Sequence, residues 1–179
     1  MNAPAGPQSS HDDPPPVSLR PEAPGDVGFL FEVYAGTRAE ELALTNWNEP
    51  MRRAFLNQQF AAMRQGYRSM FPTGEFSIIE RDGQPAGRMV IHRGAVEIRV
   101  VDLALLPAHQ GRGIGTFLMR QVCADAANAG KPVHLSVLKN NRALRWYERL
   151  GFAKIGEQGV YDELEWRPAT GPSPALPAG

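Results

Sequence analysis

Gln110-Gly111-Arg112-Gly113-Ile114-Gly115-Thr116 lies between an apolar run and an amphipathic one. The run before it, Ile98-Arg99-Val100-Val101-Asp102-Leu103-Ala104-Leu105-Leu106, reads as a buried strand that Pro107 closes. After it, Phe117, Leu118, Met119, Val122 and Ala126 recur at helical spacing. Three glycines therefore sit where a strand turns into a helix. A helix start carries unpaired N–H groups and the positive end of the dipole, and glycine lets a bulky anion approach that backbone. The seven residues suit a phosphate or pyrophosphate.

Two nucleotide-binding readings of this turn fail on its details. A dinucleotide fingerprint needs G-x-G-x-x-G after the first strand of a βαβ unit, but here the spacing is G-x-G-x-G and the turn comes late. A P-loop needs Lys followed by Ser or Thr after its last glycine, and Ile114-Gly115-Thr116 lacks the lysine. A glycine turn with no ligand remains the plain structural alternative at this point.

Upstream, Val17-Ser18-Leu19-Arg20 suggests a short first strand, and Asp26 is placed to cap a helix from Val27 to Ala35. Thr37-Arg38-Ala39-Glu40 fits a capping box that would open a second helix through about Leu44. Asn48-Glu49-Pro50 signals another start, with Pro at the first helical position. Leu56, Phe60, Met63, Tyr67 and Met70 then form one apolar stripe of a long helix, read as core packing. Strands follow at Phe76–Glu80 and Ala86–His92, joined by a turn whose Asp82-Gly83 is a hairpin signal. Downstream come a strand at Val133–Leu138, a helix capped by Asn140 or Asn141 and closed by Gly151, and strands at Phe152–Glu157 and Val160–Trp166.

Residues 1–16 and 168–179 are rich in proline and poor in apolar side chains. Neither segment can bury enough apolar surface to offset the entropy of ordering, so both are expected to be disordered tails around one domain, 17–167. Met1 to Pro16 has neither a basic start nor an apolar centre, so no signal peptide is expected. No run approaches the ~18 apolar residues of a membrane helix. With no membrane partner expected, the cytoplasm is the default location. The 19 basic and 19 acidic residues cancel, so no global field favours nucleic acid. Cys123 is the only cysteine and reads as a packed, inert thiol, while the four histidines are scattered without metal-ligand spacing. No metal is expected.

The segment Asn140-Asn141-Arg142-Ala143-Leu144-Arg145-Trp146-Tyr147-Glu148-Arg149-Leu150-Gly151-Phe152 supplies the glycine turn with a partner. Together the two segments resemble the GNAT superfamily of acetyl-CoA-dependent N-acetyltransferases. The family's loop, Arg/Gln-x-x-Gly-x-Gly/Ala, is met by Gln110, Gly113 and Gly115. Its later pattern, Asn-x-x-Ala-x-x-x-Tyr-x-x-x-Gly-Phe, is met by Asn140, Ala143, Tyr147, Gly151 and Phe152. Leu19-Arg20 followed by Asp26 and a helix matches the usual opening, so the resemblance covers nearly all of residues 17–167. It implies an α+β chain, a mixed α/β sandwich with a central, mostly antiparallel sheet of six or seven strands and about four helices.

The resemblance also implies roles. Backbone amides of Gly111, Arg112, Gly113, Ile114, Gly115 and Thr116 would bind the pyrophosphate of acetyl-CoA, with Gln110 adding a side-chain donor and Arg112 partly replacing an arginine found in relatives. Leu103, Ala104 and Leu105 would act on pantetheine through backbone groups, and a backbone N–H near Leu105 would polarise the acetyl carbonyl. Asn140 would contact pantetheine or cap the following helix, and Tyr147 would be the general acid. For the base, Asp102 is preferred to Glu97, with a water chain as the other route. By strict alternation the two carboxylates face opposite sides of the sheet, and a bulge would upset that count. The implied activity is acetyl transfer to a primary amine by direct attack in a ternary complex. Acceptor recognition would fall to about Gly36–Met70 and Gln158–Trp166. A non-catalytic acyl-CoA sensor of the same fold is the alternative, and family analogy allows a homodimer through the C-terminal strands.

Overall fold

The computed structural model describes residues 16–139 and 141–169. The tail expectations for residues 1–15 and 170–179, and the role given to Asn140, lie outside the described residues. The strands are β1 (Val17–Pro21), β2 (Glu75–Arg81), β3 (Gln84–Arg93), β4 (Ile98–Leu105), β5 (Val133–Leu138), β6 (Ala153–Gln158) and β7 (Tyr161–Trp166). The α-helices are α1 (Val27–Ala43), α2 (Glu49–Met70), α3 (Ile114–Asn128) and α4 (Leu144–Arg149). The seven strands form one sheet in the order β1-β2-β3-β4-β5-β7-β6. Every pairing is antiparallel except β4 with β5. The mixed α/β sheet with four helices is the architecture the sequence implied.

Local chemistry explains where the elements begin and end. Asp82 and Gly83 take φ of 53° and 72°, the two left-handed positions a type I′ turn requires, and so close the β2–β3 hairpin. Asn48 Oδ1 accepts from Met51 N–H at 3.0 Å and caps α2, although Glu49 rather than Pro50 is its first residue.

Three local expectations need correction. The first two helices are one: α1 continues through Thr37, whose hydroxyl donates to the Tyr34 carbonyl at 2.7 Å instead of capping a new start. Asp26 precedes α1 without capping it, because its carboxylate accepts from Arg20 and from the Ala23 N–H. Finally, α4 begins only at Leu144, since Asn141 Oδ1 accepts from Ala143 N–H in a local turn before it.

The sheet separates two cores. On one face, α3 lays Ile114, Leu118, Met119, Val122 and Ala126 against Ile79, Met89, Val100, Leu135 and Leu164. On the other, Leu30 and Tyr34 of α1 and Phe60 of α2 pack over Ile78. Helices thus cover both faces of β2, β3 and β4. Cys123 lies in the first core, where burial pushes its thiol up to about 11.

Candidate active site

β4 and β5 pair over only three residues, Ile98 with Val133, Arg99 with His134 and Val100 with Leu135. Beyond that point β5 continues alongside β7, while β4 continues alongside β3. A wedge therefore opens inside the sheet, bounded by residues 101–105 and 136–138. At its apex β4 carries a bulge: Val90 faces Asp102 and Ile91 faces Val100, leaving Val101 without a partner.

The bulge settles the alternation question. Ile98 and Val100 point into the α3 core, so Arg99 and Glu97 belong to the opposite face. Past Val101 the parity reverses, and Leu103 and Leu105 pack toward α3 while Asp102 turns to the α1–α2 side. Glu97 and Asp102 thus share a face, but they do not share a site. Glu97 is occupied by Arg99 and by His134, a pairing that holds its carboxyl below the ordinary range against the opposing effect of burial. Asp102 lines the wedge.

Two cavities meet there. The first, about 750 Å³, runs along the N-terminus of α3 and is lined by Gln110, Gly111, Gly113, Ile114, Gly115 and Thr116, by Leu103 to Leu105, and by Trp146 and Arg149. Gly111 and Gly113 have φ of 70° and 78°, with nothing within 4 Å of where a Cβ would stand. Phe117 is the first residue of the turn whose N–H finds a helical acceptor, the Gly113 carbonyl. The N–H groups of Ile114, Gly115 and Thr116 are left pointing out of the helix start, at the positive end of its dipole.

The third glycine does something else. A Cβ on Gly115 would stand 3.3 Å from Trp146 Cζ2, and Trp146 Nε1 donates to Thr116 Oγ1 at 3.0 Å. Gly115 therefore lets α4 close against α3, and the indole becomes a wall of the groove. Gln110 is also used locally, since its Nε2 donates to the Leu105 carbonyl at 3.0 Å and ties the loop to the strand end. Arg112 is exposed and does not line the groove, whereas Arg142 and Arg149 do.

The β4 register decides which backbone groups are free. Leu106 N–H donates to the Ala86 carbonyl, and bonding alternates along an antiparallel pair. Ala104, opposite Arg88, therefore spends its groups on β3, while those of Leu103 and Leu105 turn toward the wedge, where Gln110 already takes the Leu105 carbonyl and leaves its N–H free.

The second cavity, about 490 Å³, lies on the α1–α2 side and shares Thr37, Leu103, Ala104 and Ala143 with the first. Its walls include Tyr34, Tyr67, Tyr147 and Tyr161, all four tyrosines of the chain. Arg88 Nε donates to Asp102 Oδ2 at 2.7 Å, and Arg88 Nη2 reaches Met63 Sδ at 3.4 Å. Burial raises the Asp102 pKa, and the adjacent Arg88 guanidinium opposes that rise. Tyr147 is pushed up to about 12, first by burial and then by the charge of Asp102. Burial likewise raises Tyr67. Both phenols keep their protons at neutral pH.

A family model described as an acetyltransferase (GNAT) domain matches residues 72–154. That span holds the hairpin, the bulged strand, the glycine turn and the Tyr147 helix. Over those residues the chain matches the GNAT acetyltransferase family. Similar solved structures include the PaiA N-acetyltransferase from Thermoplasma acidophilum in complex with coenzyme A. It is 18% identical with a TM-score of 0.64, over 84% of this chain and 98% of that one. Ard1 from Thermoplasma volcanium is 18% identical with a TM-score of 0.56, over 85% and 97%. An acetyltransferase from Thermus thermophilus is 19% identical with a TM-score of 0.58, over 83% and 94%. At these identities the likeness shows that the GNAT fold extends beyond the matched segment, across most of the described residues.

The structure brings together Leu103, Ala104, Leu105, Gln110, Gly111, Gly113, Ile114, Gly115, Thr116, Tyr147 and Asp102 around the two cavities. It leaves Glu97 and Arg112 outside them. Sequence reasoning missed Arg88 and Trp146, and it read Tyr67, within the acceptor range Gly36–Met70, as core packing. Arg88 had a visible signal, a charge inside the apolar run Ala86 to Ile91, of the same kind that drew attention to Asp102.

Proposed function

We propose that this chain transfers the acetyl group of acetyl-CoA to a primary amine by direct attack in a ternary complex, within the unit of residues 17–167. The observation that carries the reading is the junction of the two cavities at Leu103 and Ala104, where β4 leaves β5. A groove with free helical N–H groups on one side and a phenol-lined cleft on the other give donor and acceptor separate approaches to one point.

The residues fit that donor. Converging N–H groups at a helix start offset the desolvation of a pyrophosphate, and the left-handed Gly111 and Gly113 leave open space in front of them. The outward backbone groups of Leu103 can pair with an extended amide chain, and the Leu105 N–H can polarise the acetyl carbonyl.

The amine nitrogen bonds to the thioester carbon as the carbon–sulfur bond breaks. Asp102 takes the proton that the amine loses, and Tyr147 gives its proton to the departing sulfur. A phenol near 12 is a weak acid in water. The same burial that raises it also disfavours a free thiolate beside it, so the transfer stays matched.

The test is a screen of small amines and peptides for acetyl-CoA-dependent thiol release. Release with an acetylated product is expected for some acceptor. Tight acetyl-CoA binding with no release on any acceptor would contradict the reading and favour a non-catalytic sensor.

A further inference from the structure

We infer that the amine acceptor of this chain carries a carboxylate, read by Arg38, and an apolar or aromatic body held among tyrosines. The inference rests on the acetyl-transfer reading and names the substrate class for that cleft. Among the described residues lining it, Arg38, Arg88 and Asp102 are the only charged side chains. Asp102 is already matched by Arg88 at 2.7 Å, and that pair is buried, with 7% and 14% of the side chains exposed. A second ammonium entering the cleft would meet no free carboxylate. Arg88 Nη1 is also buried without a hydrogen-bond partner, so part of its positive charge remains uncompensated at the cleft floor.

Arg38 stands differently. It sits on α1 next to Thr37, which lines both cavities, and 37% of its side chain is exposed. Its partner Glu41, at 3.0 Å, is 59% exposed and outside the cleft lining. An exposed i,i+3 pair of this kind contributes little and yields readily to a carboxylate that engages the guanidinium in two parallel bonds. Arg38 Cζ lies 5.6 Å from the Tyr34 ring centroid and Arg88 Cζ lies 5.7 Å from it. Two cations thus flank one aromatic wall, and Tyr67 and Tyr161 also line the cleft. Such a cleft attracts an anionic group, accommodates a ring and repels polycations. It also suits the chemistry, because the attacking amine must be neutral and no spare carboxylate holds it as an ammonium.

The experiment is isothermal titration of the full chain saturated with CoA, using two matched pairs that differ only in the anion. L-phenylalanine is compared with L-phenylalaninamide, and 4-(aminomethyl)benzoate with 4-(aminomethyl)benzamide; spermidine serves as the polycation. The carboxylate of at least one pair should bind about tenfold more tightly than its amide, the effect of one charge-assisted contact. Arg38→Gln should reduce that ratio to below about threefold while CoA affinity holds. Equal or tighter amide binding in both pairs, tightest binding of spermidine, or no binding of either carboxylate would overturn the inference. Failure of CoA itself to bind would instead contradict the donor reading, and the same titrations without CoA would still decide the carboxylate preference.

Discussion

The donor groove and the acceptor cleft meet at four residues but are built in opposite ways. The groove is mostly main chain: one contiguous loop, a helix start and the free edge of β4. The cleft is mostly side chain, drawn from α1, α2, β3, β4, β5, the loop before α4, α4 itself and the start of β7. Backbone chemistry is the same in any sequence that folds this way, so the groove suits a donor that many such chains can share. Side chains are free to vary, so the cleft is where this chain states its own preference.

Removing a proton donor at the cleft should have the largest effect on rate. Tyr147→Phe is expected to lower kcat by about 100-fold or more while the CoA dissociation constant, measured by titration, changes little. Equal turnover would place the acid elsewhere.

The buried pair should dominate stability. Asp102→Asn leaves the largely buried Arg88 guanidinium without its carboxylate, at a cost of about 3–5 kcal/mol by urea unfolding. Replacing both partners, Arg88→Met with Asp102→Leu, should recover most of that loss because no lone charge remains buried. A double variant as unstable as the single one would mean that packing, not charge, sets the cost.

The two kinds of glycine in the groove can be separated by smaller effects. Gly115→Ala crowds Trp146 at 3.3 Å and should lower stability by about 1–2 kcal/mol, partly offset by better helix propensity. Gly113→Ala meets no neighbour, and its cost should come only from holding φ at 78°, about 1–2 kcal/mol. Repacking should relieve the first: Trp146→Phe is expected to soften the Gly115→Ala penalty and leave that of Gly113→Ala unchanged.

The smallest effect lies far from both cavities. Arg20 holds the Asp26 carboxyl down at about 2, below its ordinary value near ~3.9. A depressed acid contributes stability above its unfolded pKa, and the contribution is lost as pH falls through the folded one. Thermal melts from pH 6 to pH 2 should therefore show an acid-labile component between about 4 and 2 that Asp26→Asn removes. An unchanged acid limb would discount the pair.

This contrast also explains what could be read in advance. Gln110 to Thr116 was legible because its residues are adjacent and their roles lie in φ freedom and unpaired N–H groups, which follow from residue type. The same locality misled at Thr37, where a capping-box pattern lost to the continuous packing of α1 over β3 and β4. Asp102 stood out as a charge in an apolar run, yet its face depended on the Val101 bulge, which no pattern in the run betrays. Arg88 and Asp102 are fourteen positions apart and become neighbours only through the β3–β4 register. Tyr67 reads in the sequence as part of an apolar helix stripe and Tyr161 as part of a strand, and their convergence with Tyr34 comes only from tertiary packing.

Titration of CoA into the wild type and Gly113→Glu asks whether the glycine turn holds the pyrophosphate of CoA. The glutamate would carry a negative charge and a side chain into the open space at the helix start. Binding by the wild type should be lost in the variant while its far-UV circular dichroism stays native. Unchanged affinity in a folded Gly113→Glu protein would contradict that role of the turn.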